Sequence, residues 1–219
     1  SYIEVAKDTD FPFLMCAPTW RTNYLRVTES GINKDINIDA VNFMKEIRKS
    51  HGTFSHKIKI GGIIGCKNDC YKPEEGLSKK ESESFHYWQA DQLAKGGVDF
   101  LIAETIPNTN EASGMAKCFE KTGLPYIIGF VISREGLILD GTKLKDAISI
   151  IDEGVTNQPV GYFIVCSHPS FLRAEIQPEG LFNRLIGYLG NASSLDHCEL
   201  DGAETLKTDS VSDWGEQML

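Results

Sequence analysis

The chain has 219 residues, 41% of them hydrophobic, and carries 22 Lys and Arg against 31 Asp and Glu, a formal charge of −9. That length supports one sizeable core, and the acidic balance argues against a nucleic-acid or anionic-membrane partner, since both would be repelled. No apolar run approaches the roughly 20 residues of a membrane span, no signal peptide opens the chain, and the six cysteines are too dispersed for a disulfide framework, so a cytoplasmic protein with reduced thiols is expected.

Apolar runs alternate with helix-like text along the whole chain. Phe11–Ala17 reads as a strand, and Asp39–Arg48 places Ala40, Val41, Phe43, Met44 and Ile47 at helical spacing. Lys57–Gly65 is a second strand. Ser82–Lys95 is a helix with Phe85, Trp88, Leu93 and Ala94 inward, stopped by Gly96-Gly97. Val98–Glu104 follows as a strand, an apolar run without alternation that ends in one carboxylate. Such runs suit strands covered on both faces, as in parallel sheets. Glu111–Lys121 is then a helix closed by Gly123, Leu124–Ile132 a strand, Leu144–Glu153 a helix ended by Gly154, and Val160–Cys166 a strand. Phe171–Asn183 fits neither pattern, and Leu185–Leu189 is a short sixth strand.

Six strands separated by helices describe βα units around a parallel sheet, either open and doubly wound or closed into a barrel. No G-x-G-x-x-G follows the first strand, and Gly61-Gly62-Ile63-Ile64-Gly65 lacks the Lys-Ser/Thr ending of a phosphate loop, which favours the barrel. In barrels the chemistry sits at the strands' C-terminal ends. Glu104 and Cys166 are both expected there, one suited to an amine and the other to a soft metal ion. The alternatives for these two residues are a helix-terminal or salt-bridged acid and a buried hydrophobic thiol. His168 is either a ligand or base beside Cys166 or a loop residue next to Pro169. Cys66 and Cys70 form a C-x₃-C spacing without the second pair a zinc site needs. Cys16 and Cys118 read as core residues and Cys198 as a surface thiol. Trp20-Arg21-Thr22-Asn23 either lines a rim pocket, with Arg21 pairing a carboxylate, or is a solvated loop.

The segment from Phe85 to Ala112, FHYWQADQLAKGGVDFLIAETIPNTNEA, closely resembles the homocysteine S-methyltransferase family, in which a helix opening on Phe-His leads into a strand ending Glu-Thr-apolar-Pro-Asn. Val160–Pro169 (VGYFIVCSHP) is similar to the family strand that ends in Asn-Cys, with Val165 in place of the Asn. The resemblance implies a (β/α)8 TIM barrel and transfer of a methyl group from a sulfonium or ammonium donor to homocysteine, forming methionine. It further implies zinc as cofactor, Cys166 as one zinc ligand and Glu104 as the group that holds the homocysteine ammonium. Two departures stand beside it. The family's Gly-Gly-Cys-Cys zinc motif does not occur, and the family's Asp-Gly first strand is not found. Strands 1 and 8 are therefore expected to be missing from this chain, leaving residues 1–219 as a single, incomplete barrel domain. Residues 212–219 resemble the helix that precedes the Cys-Cys motif. The same departures leave open a non-catalytic relative that binds an amino-acid metabolite or serves as an assembly subunit. With its sheet edges open, the chain is expected either to pair them with another copy, as a homo-oligomer, or to be ordered only as part of a longer chain.

Overall fold

The computed structural model describes residues 1–218; Leu219, the last residue of the helix expected from 212, lies outside them. Six strands form one parallel sheet in the order β1-β2-β3-β4-β5-β6. They are β1 (Phe13–Ala17), β2 (Ile58–Gly65), β3 (Phe100–Ile106), β4 (Tyr126–Phe130), β5 (Gly161–Ser167) and β6 (Leu185–Gly190). Strand order follows chain order without a reversal. There is thus no switch point of the kind that defines a doubly wound sheet, and the curled, singly wound sheet is of the barrel type.

The crossovers carry helices. After a short N-terminal helix, α1 (Tyr2–Asp8), and β1, the chain forms α2 (Tyr24–Glu29) and α3 (Ile36–Ser50) before β2. Then come α4 (Lys79–Gly96), α5 (Thr109–Glu120) and α6 (Leu144–Gly154), each between consecutive strands. Two further helices, α7 (His197–Leu200) and α8 (Val211–Met218), follow β6. The stretch Phe171–Asn183 holds three short 3-10 turns and no helix, so β5 and β6 are joined without the usual cover.

Of the element boundaries that differ from the sequence reading, three have clear reasons. α4 starts three residues earlier than Ser82, because Ser78 and Glu81 form a capping box that satisfies two orphan N–H groups. β3 and β5 run past Glu104 and Cys166 to Ile106 and Ser167, with breaks of register between Ala103 and Ile106 and between Val165 and Ser167. A bulge of this kind turns a residue out of the ladder without ending the strand.

The main core lies between sheet and helices. Ile60, Leu101, Ala103, Ile128 and Ile164 are fully buried there against Leu93, Met115, Phe119 and Ala147. A smaller cluster of Phe100, Ile102, Val131, Phe163 and Val165 fills the concave side. α4 and α5 approach closely through Gly114, where an added Cβ would stand 2.3 Å from the Lys79 carbonyl oxygen and 2.5 Å from the Ser82 Cβ. Gly114→Ala, which improves helix propensity, is therefore expected to destabilise the chain by about 1–3 kcal/mol through overpacking, read as a lower midpoint in urea unfolding. An unchanged or raised midpoint would show that the two helices have slack.

Candidate functional site

The ends of β3 and β5 share an unusual backbone. Thr105 has φ 60° and Cys166 φ 50°, both in the left-handed region. For a β-branched threonine this is a true outlier, and such strain gathers at functional sites when the surroundings hold it in place. The surroundings here do. Trp20 Nε1 donates to Thr105 Oγ1 at 2.9 Å and to the Glu104 carbonyl at 3.3 Å. The Cys166 carbonyl accepts from Asn191 Nδ2 at 2.9 Å and lies 2.7 Å from His197 Nε2, which must carry the proton in that contact. Trp20 reaches β3 by lying across Gly65, where a Cβ would stand 2.5 Å from its Nε1.

These residues enclose a pocket of about 320 Å³ lined by Trp20, Cys70, Tyr71, Glu104, Thr105 and Cys166, a size that suits a small metabolite. Glu104 and Cys166, 62 residues apart in the chain, thus share one cavity at the strands' C-terminal rim. Burial pushes the Cys166 thiol up; the Glu104 charge adds to this, and a hydrogen bond with the Tyr71 hydroxyl works against it. Cys70 is pushed up to about 11, chiefly by burial. Both thiols are therefore protonated at neutral pH. Desolvation raises the Glu104 carboxyl above its usual range. Among the described residues this carboxylate has no ion pair, and no side-chain or backbone donor reaches it. A half-buried acid without a partner is a receptor for a cation.

The structure decides the alternatives that the sequence left open and corrects one reading, that of Cys16 as a core residue. Among the described residues Arg21 pairs no carboxylate; its Nη1 donates to the carbonyls of Cys66, Lys67 and Asn68 at 2.8, 3.3 and 2.7 Å. Cys66 and Cys70 do not act as a pair: the Cys66 Sγ turns to the Asn68 carbonyl, and Cys70 alone lines the pocket. Cys16 is only partly buried and lies on the concave face, where the charge of Glu104 helps raise its pKa. His168 is buried outside the pocket, its Nδ1 2.8 Å from Ser170 Oγ and its Nε2 3.4 Å from Asp209. Cys118 is in the core and Cys198 is exposed, as read from the sequence. Tyr71, Thr105, Asn191 and His197 were not anticipated: Tyr71 and Asn191 lie in loops, which carry no periodic signal, Thr105 is set by the bulge in β3, and His197 opens a four-residue helix.

Behind the pocket wall lies a buried acid that the sequence reading assigned only to a helix start. The Glu111 carboxylate accepts from Lys67 N at 2.8 Å, Leu77 N at 3.2 Å and His86 Nε2 at 3.0 Å. Burial pushes its pKa up, but the bond and charge of His86 and the two backbone donors outweigh that and leave it below the usual carboxylate range. A carboxyl lowered in the folded state stabilises it above the unfolded pKa of about 4.3 and loses that contribution as pH falls through the folded value. Wild-type melting temperature is thus expected to fall on acidification below about pH 4.3, with this component absent in Glu111→Gln. Parallel pH profiles for the two proteins would overturn the assignment.

A parallel, barrel-type sheet thus carries an unpartnered acid and two thiols in one rim pocket. The sequence pattern of the family described as homocysteine S-methyltransferase matches residues 10–215, and the chain belongs to that family. Homocysteine S-methyltransferase 2 of Arabidopsis thaliana is 30% identical over 101 residues, covering 45% of this chain and 29% of the plant protein. The metallated form of the homocysteine methyltransferase MmuM from Escherichia coli superimposes with a TM-score of 0.70 at 18% identity, over 80% of this chain and 66% of that one. Its oxidized form gives 0.68 at 16% identity over 81% and 74%. The chain thus spans less than a third of the plant relative and about two thirds of the metallated bacterial one. At these identities the structural likeness establishes the fold. No described helix is long and apolar enough to cross a membrane.

Proposed function

We propose that the rim pocket is the homocysteine site of an S-methyltransferase built on one barrel domain, with residues 1–219 forming its central part. The observation that carries this reading is the unpartnered Glu104 carboxylate sharing a pocket with Cys166. In this assignment the homocysteine ammonium pairs with Glu104, and its sulfur extends toward Cys166. An ammonium supplies the charge and the donors that the half-buried acid lacks, so binding relieves a desolvation cost already incurred in folding.

The reaction joins a methyl carbon to the homocysteine sulfur while the carbon's bond to a sulfonium or quaternary ammonium donor breaks. The bonding pair leaves with the now neutral donor, and the thiol proton is lost to solvent. Alignment of the two reactants along one line is the main demand, and Glu104 meets half of it by fixing the amino end of the acceptor. Trp20 and Tyr71 narrow the pocket around the acceptor's aliphatic part.

A zinc ion would lower the thiol's pKa and present a thiolate. Cys166 would be one thiol ligand. Among the described residues, however, no group of three or more His, Cys, Asp or Glu side chains is arranged to hold a metal. These residues do not fit a complete zinc site, and no step is assigned through one. This favours, as a second reading, a chain that binds the amino acid without transferring a methyl group.

Titration calorimetry with homocysteine separates these outcomes from failure. Glu104→Gln, which keeps the shape and removes the charge, is expected to weaken binding about tenfold or more. Equal affinity in wild type and variant would refute the Glu104 assignment. Where wild type binds, methionine formation from S-methylmethionine, betaine or S-adenosylmethionine supports the enzyme, and its absence with all three supports the binding protein.

A further inference from the structure

One wall of the rim pocket is made by the loop of residues 66–77, which contributes both Cys70 and Tyr71. Apart from a 3-10 turn at Pro73–Glu75, this loop has no regular structure of its own. Its backbone groups are taken up by three side chains from elsewhere in the fold. The first-strand loop supplies Arg21, whose guanidinium gathers the carbonyls of Cys66, Lys67 and Asn68. The first turn of α5 supplies Glu111, whose carboxylate accepts from Lys67 N near the start of the loop and from Leu77 N at its end. The α5 N-cap, Asn108, accepts from the Glu111 N–H at its Oδ1 (2.7 Å) and donates from Nδ2 to the Pro73 carbonyl at 3.0 Å.

We propose that Glu111, with Arg21 and Asn108, is a positioning residue that closes this loop from both ends and so sets Cys70 and Tyr71 against the substrate pocket. The division of labour follows charge. Loop carbonyls meet the cation and loop N–H groups meet the anion, so each backbone dipole is stabilised by a group of opposite sign. Glutamine cannot replace Glu111 without loss, because all three neighbours of the carboxylate donate and the amide would bring a donor among them. His86 fixes the carboxylate from behind. The Glu111 and His86 side chains are each 1% exposed, so the arrangement has no water to fall back on. The assignment rests on the homocysteine reading only for the choice of ligand.

The test compares thiol alkylation rates at Cys70 and Cys118 by mass spectrometry in wild type, Glu111→Gln and Gly76→Ala. Cys118 lies fully buried on the same helix as Glu111 and reports loosening of the core. Gly76→Ala leaves every charge in place but drives a Cβ to within 1.4 Å of Asn108 Nδ2. Both variants are expected to raise the Cys70 rate about tenfold while Cys118 stays at its wild-type rate. Both should also weaken homocysteine binding by calorimetry. An unchanged Cys70 rate, or a Cys118 rate that rises in step with it, would overturn the proposal. If wild type fails to bind homocysteine, the ligand assignment falls, and the ratio of the two alkylation rates still decides the role of the loop clamp.

Discussion

The site depends on the local bend of the backbone at the ends of two parallel strands. A regular β3 and β5 would alternate side chains straight through Glu104 and Cys166 and continue the ladder to the sheet's edge. Instead each strand skips its neighbour's register for a step, and Thr105 and Cys166 take left-handed conformations. Each such residue costs about 1–3 kcal/mol, a sum comparable to the hydrogen bonds that hold it, at about 0.5–1.5 kcal/mol each. Trp20 holds one bend; Asn191 and His197 hold the other. Strain and restraint are matched, so the rim is ordered before any ligand arrives.

That preorganisation is linked to the sheet by small residues. Gly65 stands opposite Glu104 in the β2–β3 register and presents no side chain. The indole of Trp20 occupies that space and reaches the next strand. Without this gap the Trp20 indole could not meet Thr105, and nothing from the β1 side would oppose the bend in β3. A glycine that reads as strand-weakening in isolation is here the condition for a contact between the loop after β1 and β3. His197 adds a second linkage: it stacks on Tyr71 at 4.8 Å while holding the Cys166 carbonyl, so the pocket wall and the β5 bend move as one piece.

The sheet was legible in the sequence because parallel strands are apolar throughout, and each was bounded by a glycine, proline or helix signal. All six were found in order, and the shared rim of Glu104 and Cys166 followed from topology alone. What the text concealed was the treatment of polar atoms. Arg21 was left open between pairing a carboxylate and lying in a solvated loop, and neither reading named the loop carbonyls that it gathers. Glu111 was read as a helix-start acid, which its position in the first turn permits. Its partners, however, come from 25 to 44 residues earlier in the chain, and no local pattern encodes them. The C-x₃-C spacing, read as lacking the second pair a zinc site needs, carried no information on where either thiol points. Cys66 and Cys70 are neighbours in sequence, but the loop turns one toward its own backbone and the other into the pocket.

The same contrast bears on charge. The chain carries −9 overall, yet the pocket holds two neutral thiols, two aromatic rings and a single acid. With the thiols pushed up by burial, Glu104 is the one lining group whose ordinary ionisation range lies below neutrality. The cavity is therefore selective in a specific sense: it offers one negative charge at one end and soft, uncharged sulfur at another. A ligand that matches both needs a cationic group and a polarizable group separated by a short aliphatic chain. Homocysteine has that pattern, whereas a purely anionic metabolite would meet repulsion from Glu104 and find no cation among the lining residues. Under the proposed assignment the overall acidity repels such anions, and the half-buried Glu104 pairs the ammonium.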